Sequence, residues 1–384
     1  MINNHIAFKM GTHEAEIEKY IPEGGNWKNI PDSITDARLE GIRSTGGRTT
    51  YYGRLKWDEP SYTIATYFNR VGNGCNLHPS QHRVISTREA ARLQSFPDDF
   101  VFKGSKASQY KQIGNAVPPI LARFVSSLIK PYLESYNFID LFAGCGGMSE
   151  GFIMNGFQLL SANEIDKNII LTNKFNHSKY TDESNFILGD ITKEDVKQQI
   201  IDSCKGHKVD VIVGGPPCQG FSYAGWRDPN DDRNKLFREF VSIVQSLQPE
   251  FFVMENVLGI LTMRNGDAIK EIIKAFSEVG YHVSNPLKLN AANVGVPQRR
   301  KRVFLIGSRN GIDFAQPDSM FSNEDMFLPN FITVRDAIGS LPPIEDGGGE
   351  MEMEGEIPSN SPFDKLMKKE VDFEEFYELC KQGK

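Results

Sequence analysis

The sequence predicts a doubly wound α/β fold, with a mostly parallel sheet of about seven strands and a smaller second region. Two observations carry this. Between about Asn137 and Arg309, short β-branched and aromatic runs alternate with stretches whose apolar residues recur every three or four positions. Several of those runs also end in glycine or an acidic residue, as strands do when their carboxyl ends open onto a crevice.

Taken in order, residues 138–142 form the first strand, and residues 151–155 lie in the helix after it. Residues 158–163 give a second strand and 167–175 a second helix; 186–188, 209–213 and 251–254 are strands three to five. Residues 235–247 and 267–279 have helical periodicity, and 281–289 and 303–306 complete the sheet. Upstream, Ser86-Thr87-Arg88-Glu89 has the form of a capping box opening a helix toward Phe96. After Pro118-Pro119, the apolar residues Ile120, Leu121, Phe124, Val125 and Leu128 mark an amphipathic helix ending near Pro131. Residues 1–60 and 315–384 show weak periodicity, with a turn at Gly347-Gly348-Gly349 and no internal repeat.

At 384 residues the chain is long enough for one large domain and a smaller one. No run reaches the length of a membrane span, and the first residues lack signal-peptide character. The expectation is a cytoplasmic protein without membrane association. Cysteines at 75, 145, 204, 218 and 380 form no CxxC pair, so neither a disulfide framework nor a metal site is expected. Net charge is −7, yet Gln298-Arg299-Arg300-Lys301-Arg302 is strongly basic and Arg83, Arg88 and Arg92 cluster. Local basic surface of this kind is compatible with a phosphate backbone.

Three constellations can carry chemistry. The loop Phe142-Ala143-Gly144-Cys145-Gly146-Gly147 ends the first strand, where glycines admit a ligand to the backbone and the next helix offers its amides. Glu164 ends the second strand and Asp190 the third, placed to meet ribose hydroxyls and an exocyclic amine. Together they suit an adenosine ligand, and the absence of G-x-G-x-x-G favours S-adenosylmethionine over a nicotinamide dinucleotide. Next, Pro216-Pro217-Cys218-Gln219 follows strand four. Its thiol is either a nucleophile at a strand end or a small buried hydrophobe; the strand context alone leaves these even. Lastly, Glu255-Asn256-Val257 follows strand five, where a carboxyl projecting beside Cys218 would pair protonation with covalent attack.

These motifs, with Arg88 to Pro97 and Gln112-Ile113-Gly114-Asn115-Ala116-Val117-Pro118-Pro119, closely resemble the DNA cytosine-5 methyltransferases of bacterial restriction–modification systems. The resemblance implies a Rossmann-like class I methyltransferase with a smaller target-recognition domain. It implies that Cys218 adds to C6 of a flipped-out cytosine while Glu255 stabilises charge at N3, with Arg300 and Arg302 close by. Phe142, Gly144, Gly146, Gly147, Glu164, Ile165, Asp190, Ile191, Pro216 and Asn115 would hold S-adenosyl-L-methionine, leaving S-adenosyl-L-homocysteine and needing no metal. Double-stranded DNA is the implied substrate, and a cognate restriction endonuclease the implied companion.

One departure concerns order. The two upstream motifs come last in most members and first here, which reads as a circular permutation. The expected division is then residues 105–312 as the catalytic, cofactor-binding domain, with 1–104 and 313–384 forming target recognition from both chain ends, and a second polypeptide completing recognition as the runner-up. A tRNA cytosine-5 methyltransferase is the alternative activity, which the upstream basic motif and Gly24-Gly25-Asn26-Trp27 disfavour. A non-catalytic DNA-binding relative is disfavoured by the intact Cys218 and Glu255, and a nicotinamide oxidoreductase by the glycine spacing.

Overall fold

The computed structural model describes residues 1–217, 236–355 and 357–383. They divide into two compact units. One holds residues 117–290 and 301–319, the other residues 1–116, 291–300 and 320–384.

The first unit is built on one sheet. Its elements, in chain order, are α1 (Pro119–Ile129), β1 (Asn137–Leu141), α2 (Gly147–Met154), β2 (Gln158–Glu164), α3 (Lys167–His177) and β3 (Phe186–Leu188). There follow α4 (Glu194–Asp202), β4 (Val211–Gly214), α5 (Leu236–Leu247), β5 (Phe251–Asn256), α6 (Asp267–Glu278), β6 (His282–Val283), β7 (Leu287–Asn290) and β8 (Lys301–Ser308). The strand order is β6-β8-β5-β4-β1-β2-β3, and β7 also pairs with β8. Strands β1 to β5 pair in parallel, while β8 runs antiparallel to β5, β6 and β7. This is the expected α/β class.

Chain direction along the sheet reverses between β1 and β4, which makes the carboxyl ends of these two strands the switch point where ligands collect in such folds. Both strands are apolar because helices cover each face. Ile139, Leu141, Ile212, Phe240, Phe252 and Phe276 share one core cluster, with the rings of Phe252 and Phe276 stacked at 3.7 Å. The single strand expected at 281–289 is instead two short ones. Pro286 lies between them and has no N–H to give the ladder.

In the second unit, the outer segments contain more structure than their weak periodicity suggests. Strand Ile2–Ile6 pairs antiparallel with Gly349–Met353, and helices span Thr12–Glu18, Ala37–Thr45, Lys106–Asn115, Val334–Ile338, Pro362–Met367 and Phe373–Gln382. The capping box at Ser86 forms as expected: Glu89 N donates to Ser86 Oγ, and Ser86 N donates to Glu89 Oε2. The basic cluster following it does not form a surface. Arg83, Arg88 and Arg92 are all buried: Arg83 pairs with Glu89, Arg92 with Asp98 and Asp364, and Arg88 with main-chain oxygens of Asn3, Pro97 and Phe100. The sequence showed that these arginines cluster but not their acidic partners, one of which, Asp364, lies far along the chain.

The units also divide the chain elsewhere than at 104 and 312. Residues 105–116 pack into the second unit, where a Cβ on Gly114 would fall 2.5 Å from Thr66 N. Residues 291–300 belong there too, since Gln298 and Arg299 pair in parallel with Ser61 and Tyr62.

Helices α1 and α2 touch at backbone distance. A Cβ on Gly151 would lie 2.3 Å from Pro119 O and 2.5 Å from Ala122 Cβ. Gly151→Ala is therefore expected to destabilise this unit by about 1–3 kcal/mol, read as a lower midpoint in urea unfolding.

Candidate active site

The cofactor side of the site is assembled from three strand ends. After β1 the chain turns sharply: Phe142 has φ 54°, Gly144 φ 57° and Gly146 φ 91°. The turn leaves open space at Gly144, where an added Cβ would meet nothing within 4 Å. Gly147 then begins α2.

Glu164 closes the turn from the end of β2. One carboxylate oxygen accepts from Gly144 N at 3.0 Å, and the other accepts from Ile165 N at 2.9 Å and Asp166 N at 3.0 Å. Burial raises its pKa, and those three N–H groups pull in the opposite direction. Asp190 follows β3, with Oδ1 accepting from the backbone N and hydroxyl of Thr192 at 3.0 and 2.8 Å. Leu188 pairs with Glu164 across β2 and β3, and both Leu188 and Ile165 keep over half their surface in solvent.

Open backbone, an acid fixed by amides and two bare apolar side chains fit a ligand with a ribose and a flat ring. Two of the expected contacts sit differently. Ile191 is buried in the core, so its side chain faces the interior. Asn115 is exposed at the end of helix Lys106–Asn115, in the second unit.

Asp140, one residue before the end of β1, opens the motif that continues into the glycine turn, and the sequence alone assigned its carboxyl no role. Its carboxylate accepts from Ser149 Oγ at 2.6 Å, and burial pushes its pKa up to about 7.

The chemical side lies on β4 and β5. Glu255 is mostly buried; Arg302 Nε on β8 donates to its Oε1 at 2.7 Å. Its Oε2 faces Gly215, where an added Cβ would come within 3.1 Å. Asn256 donates from Nδ2 to Pro216 O at 3.3 Å and accepts from Val257 N with Oδ1. The carboxyl therefore stands beside the main chain that leads into Pro216-Pro217-Cys218. Cys218 itself lies outside the described residues. The four described cysteines, 75, 145, 204 and 380, all have thiols raised by burial, so none of them is poised as a thiolate.

The basic run alternates, with Arg299 and Lys301 exposed and Arg300 and Arg302 turned inward. Arg302 is the member of this run that pairs with Glu255. Arg300 donates to Ile64 O and Gly114 O within the second unit, and Gln298 bonds Ile64 N, Leu93 O and Gln94 Oε1.

Among known proteins, residues 3–130 and 136–356 match the profile of the C-5 cytosine-specific DNA methylases. The chain belongs to that family. It is 43% identical over 236 residues to the type II methyltransferase M.DdeI of Desulfomicrobium norvegicum, covering 58% of this chain and 53% of that one. To M1.HphI of Haemophilus parahaemolyticus it is 37% identical, covering 62% of each. To M.AquIA of a Picosynechococcus species it is 39% identical, covering 53% of this chain and 88% of the relative. The chain thus spans about half the length of several of the curated relatives it matches. Among the described residues, no cluster of His, Cys, Asp and Glu could hold a metal, and no helix is long and apolar enough to cross a membrane.

The raised pKa of Asp140 gives a pH signature to stability. An unfolded carboxyl ionises near its ordinary 3.8, whereas the folded one holds its proton to about pH 7. Between those values unfolding releases a proton, so stability falls as pH rises, and the contribution is gone above the folded value. Urea unfolding across that window is expected to show this slope in the wild type and a flatter profile in Asp140→Asn.

Proposed function

We propose that the chain is a site-specific DNA cytosine-5 methyltransferase of a bacterial restriction–modification system, acting on a cytosine flipped out of duplex DNA. The observation that carries this reading is Glu255 at the end of β5, oriented by Arg302 and facing the main chain at Gly215. Family membership and the type II names of the relatives support DNA as substrate. The buried arginines 83, 88 and 92 do not contribute to that choice.

In the proposed mechanism the Cys218 thiolate forms a bond to C6. The electron pair of the C5–C6 double bond moves into the ring, and Glu255 gives a proton to N3. Arg302 orients Glu255, and Arg300 fixes the main chain at Ile64 and Gly114. S-adenosyl-L-methionine, held by the turn at Phe142–Gly147 with Glu164, Ile165 and Asp190, would supply an electrophilic methyl group for C5. Glu255 takes the N3 proton back as the C5 electron pair forms the new bond to carbon. A base then removes the C5 proton, the electrons of that C–H bond restore the C5–C6 double bond, and the thiolate of Cys218 leaves. Flipping is required because neither face of C5–C6 is reachable within the base stack.

Target recognition is assigned to the second unit, in the major groove, with a second polypeptide completing it as the alternative arrangement. The permuted motif order belongs to the same proposal. It is supported by α1 packing on α2 and passing through a short connection into β1. A cognate endonuclease and a bacterial cytoplasmic setting complete the reading.

Transfer of labelled methyl from S-adenosylmethionine to duplex DNA and not to tRNA is the expected result, and the reverse would replace DNA with RNA as substrate. Cys218→Ser is expected to lose at least about a thousandfold of transfer while still binding S-adenosylhomocysteine. Wild-type enzyme should form a denaturation-resistant adduct with duplex DNA carrying 5-fluorocytosine at the target, and Cys218→Ser should not.

A further inference from the structure

Behind the glycine turn lies a polar cluster that the proposed chemistry does not use. His177, at the end of α3, has no exposed surface. Its Nδ1 is 2.7 Å from Asn173 Oδ1, one helical turn earlier, and its Nε2 is 3.0 Å from Glu150 Oε2 on α2. Asn173 is fully buried and Glu150 nearly so. The two ring nitrogens thus face side chains on two helices, and the tautomer with its proton on Nε2 donates to the Glu150 carboxylate.

This bridge touches the turn directly. A Cβ on Gly146 would fall 2.6 Å from His177 Cε1 and 2.9 Å from Asn173 Oδ1, so the main chain at Gly146 rests on the imidazole edge. Gly146 holds its left-handed conformation there, and its carbonyl accepts from Glu150 N at 2.8 Å. Two residues earlier, Gly144 donates to Glu164. The turn is therefore held at both ends: by a carboxylate on the ligand side and by a histidine on the interior side.

We propose that His177, fixed by Asn173 and Glu150, is a positioning residue for cofactor binding. It props Gly146 so that the Gly144 amide and Glu164 face the ligand in a fixed geometry. Without the ring, the left-handed turn loses its interior support and must be ordered anew each time a ligand binds, and affinity falls by that ordering cost. The inference rests on the reading of this turn as the S-adenosylmethionine site. It makes the bridge a determinant of cofactor affinity and leaves the transfer step to Cys218 and Glu255.

Calorimetric titration of the full chain with S-adenosylhomocysteine tests this. Loss of a supporting bond of about 1–1.5 kcal/mol corresponds to about tenfold weaker binding, expected for His177→Ala. Glu150→Gln keeps an acceptor for Nε2–H and is expected to bind within about threefold of wild type, whereas Glu150→Leu should resemble His177→Ala. With duplex DNA saturating, the loss should appear in KM for S-adenosylmethionine rather than in kcat. A folded His177→Ala chain that binds within twofold of wild type overturns the proposal, as does a fall in kcat with KM unchanged. If His177→Ala does not fold, Glu150→Leu removes the carboxylate that faces the ring from α2; affinity within twofold of wild type in that variant overturns the proposal equally. A wild-type chain that fails to bind S-adenosylhomocysteine refutes the proposed function itself, whereas binding by wild type with unaffected variants refutes only the role of His177.

Discussion

The candidate site depends on how closely β4 can approach β1 at their carboxyl ends. Gly214 pairs with Leu141, and a Cβ on Gly214 would fall 2.3 Å from Leu141 O and 2.9 Å from the ring of Phe240. A side chain there would have to displace backbone, not merely a neighbouring rotamer. This pair straddles the reversal in strand order. On one side, the chain beyond Leu141 becomes the glycine turn met by Glu164; on the other, the chain beyond Gly214 becomes Gly215-Pro216-Pro217 beside Glu255. Prying the two strands apart would move the cofactor turn and the carboxyl out of register together.

The second unit meets a different constraint, the cost of taking three guanidiniums out of water. Burying each charge costs several kcal/mol unless every donor finds a good partner. Here the partners are met in full view: Arg83 reaches both carboxylate oxygens of Glu89 at 2.7 Å, and Arg92 reaches Asp98, Asp364, Ser340 and Ala337 O. Arg88, with no carboxylate in its bonds, donates to three carbonyls. These bonds connect residues near 90 with the N-terminal strand and with the helix Pro362–Met367, so both chain ends are tied into one unit. These three cations are thus engaged in the interior of the unit and add no basic surface.

The central sheet was legible because its strands are buried on both faces and therefore read as continuous apolar runs. β1 to β5 and β8 lie where those runs predict, within a residue or two at their ends. The outer segments were not legible, since their helices are short and their stability comes from distant partners such as Asp364 on Arg92. Of the site, Glu164, Asp190 and Glu255 could be placed because each ends a strand. Arg300 and Arg302 could not be told apart: they share one motif, yet one bonds Gly114 and Ile64 while the other bonds Glu255. Asn173 and His177 are spaced one helical turn apart, a visible pairing on α3, but nothing in the sequence pointed from them to Glu150 or Gly146.

The two sides of the candidate site are held by different means, and that difference suits the roles proposed for them. Glu164 is bound by three backbone N–H groups, which keep their positions as long as β2 and the turn exist. Such a carboxylate is fixed by the fold and suits the constant task of holding a ribose. Glu255 instead accepts from a side chain, Arg302 Nε, with its second oxygen on the side of Gly215. In the proposed mechanism Glu255 exchanges a proton with the substrate, which calls for an environment that can respond to charge as it develops. Arginine meets that need, because its planar donors fix the direction of the carboxyl from one side. Lysine in its place would keep the charge but lose that direction, so the carboxyl would lose its aim before it lost its partner.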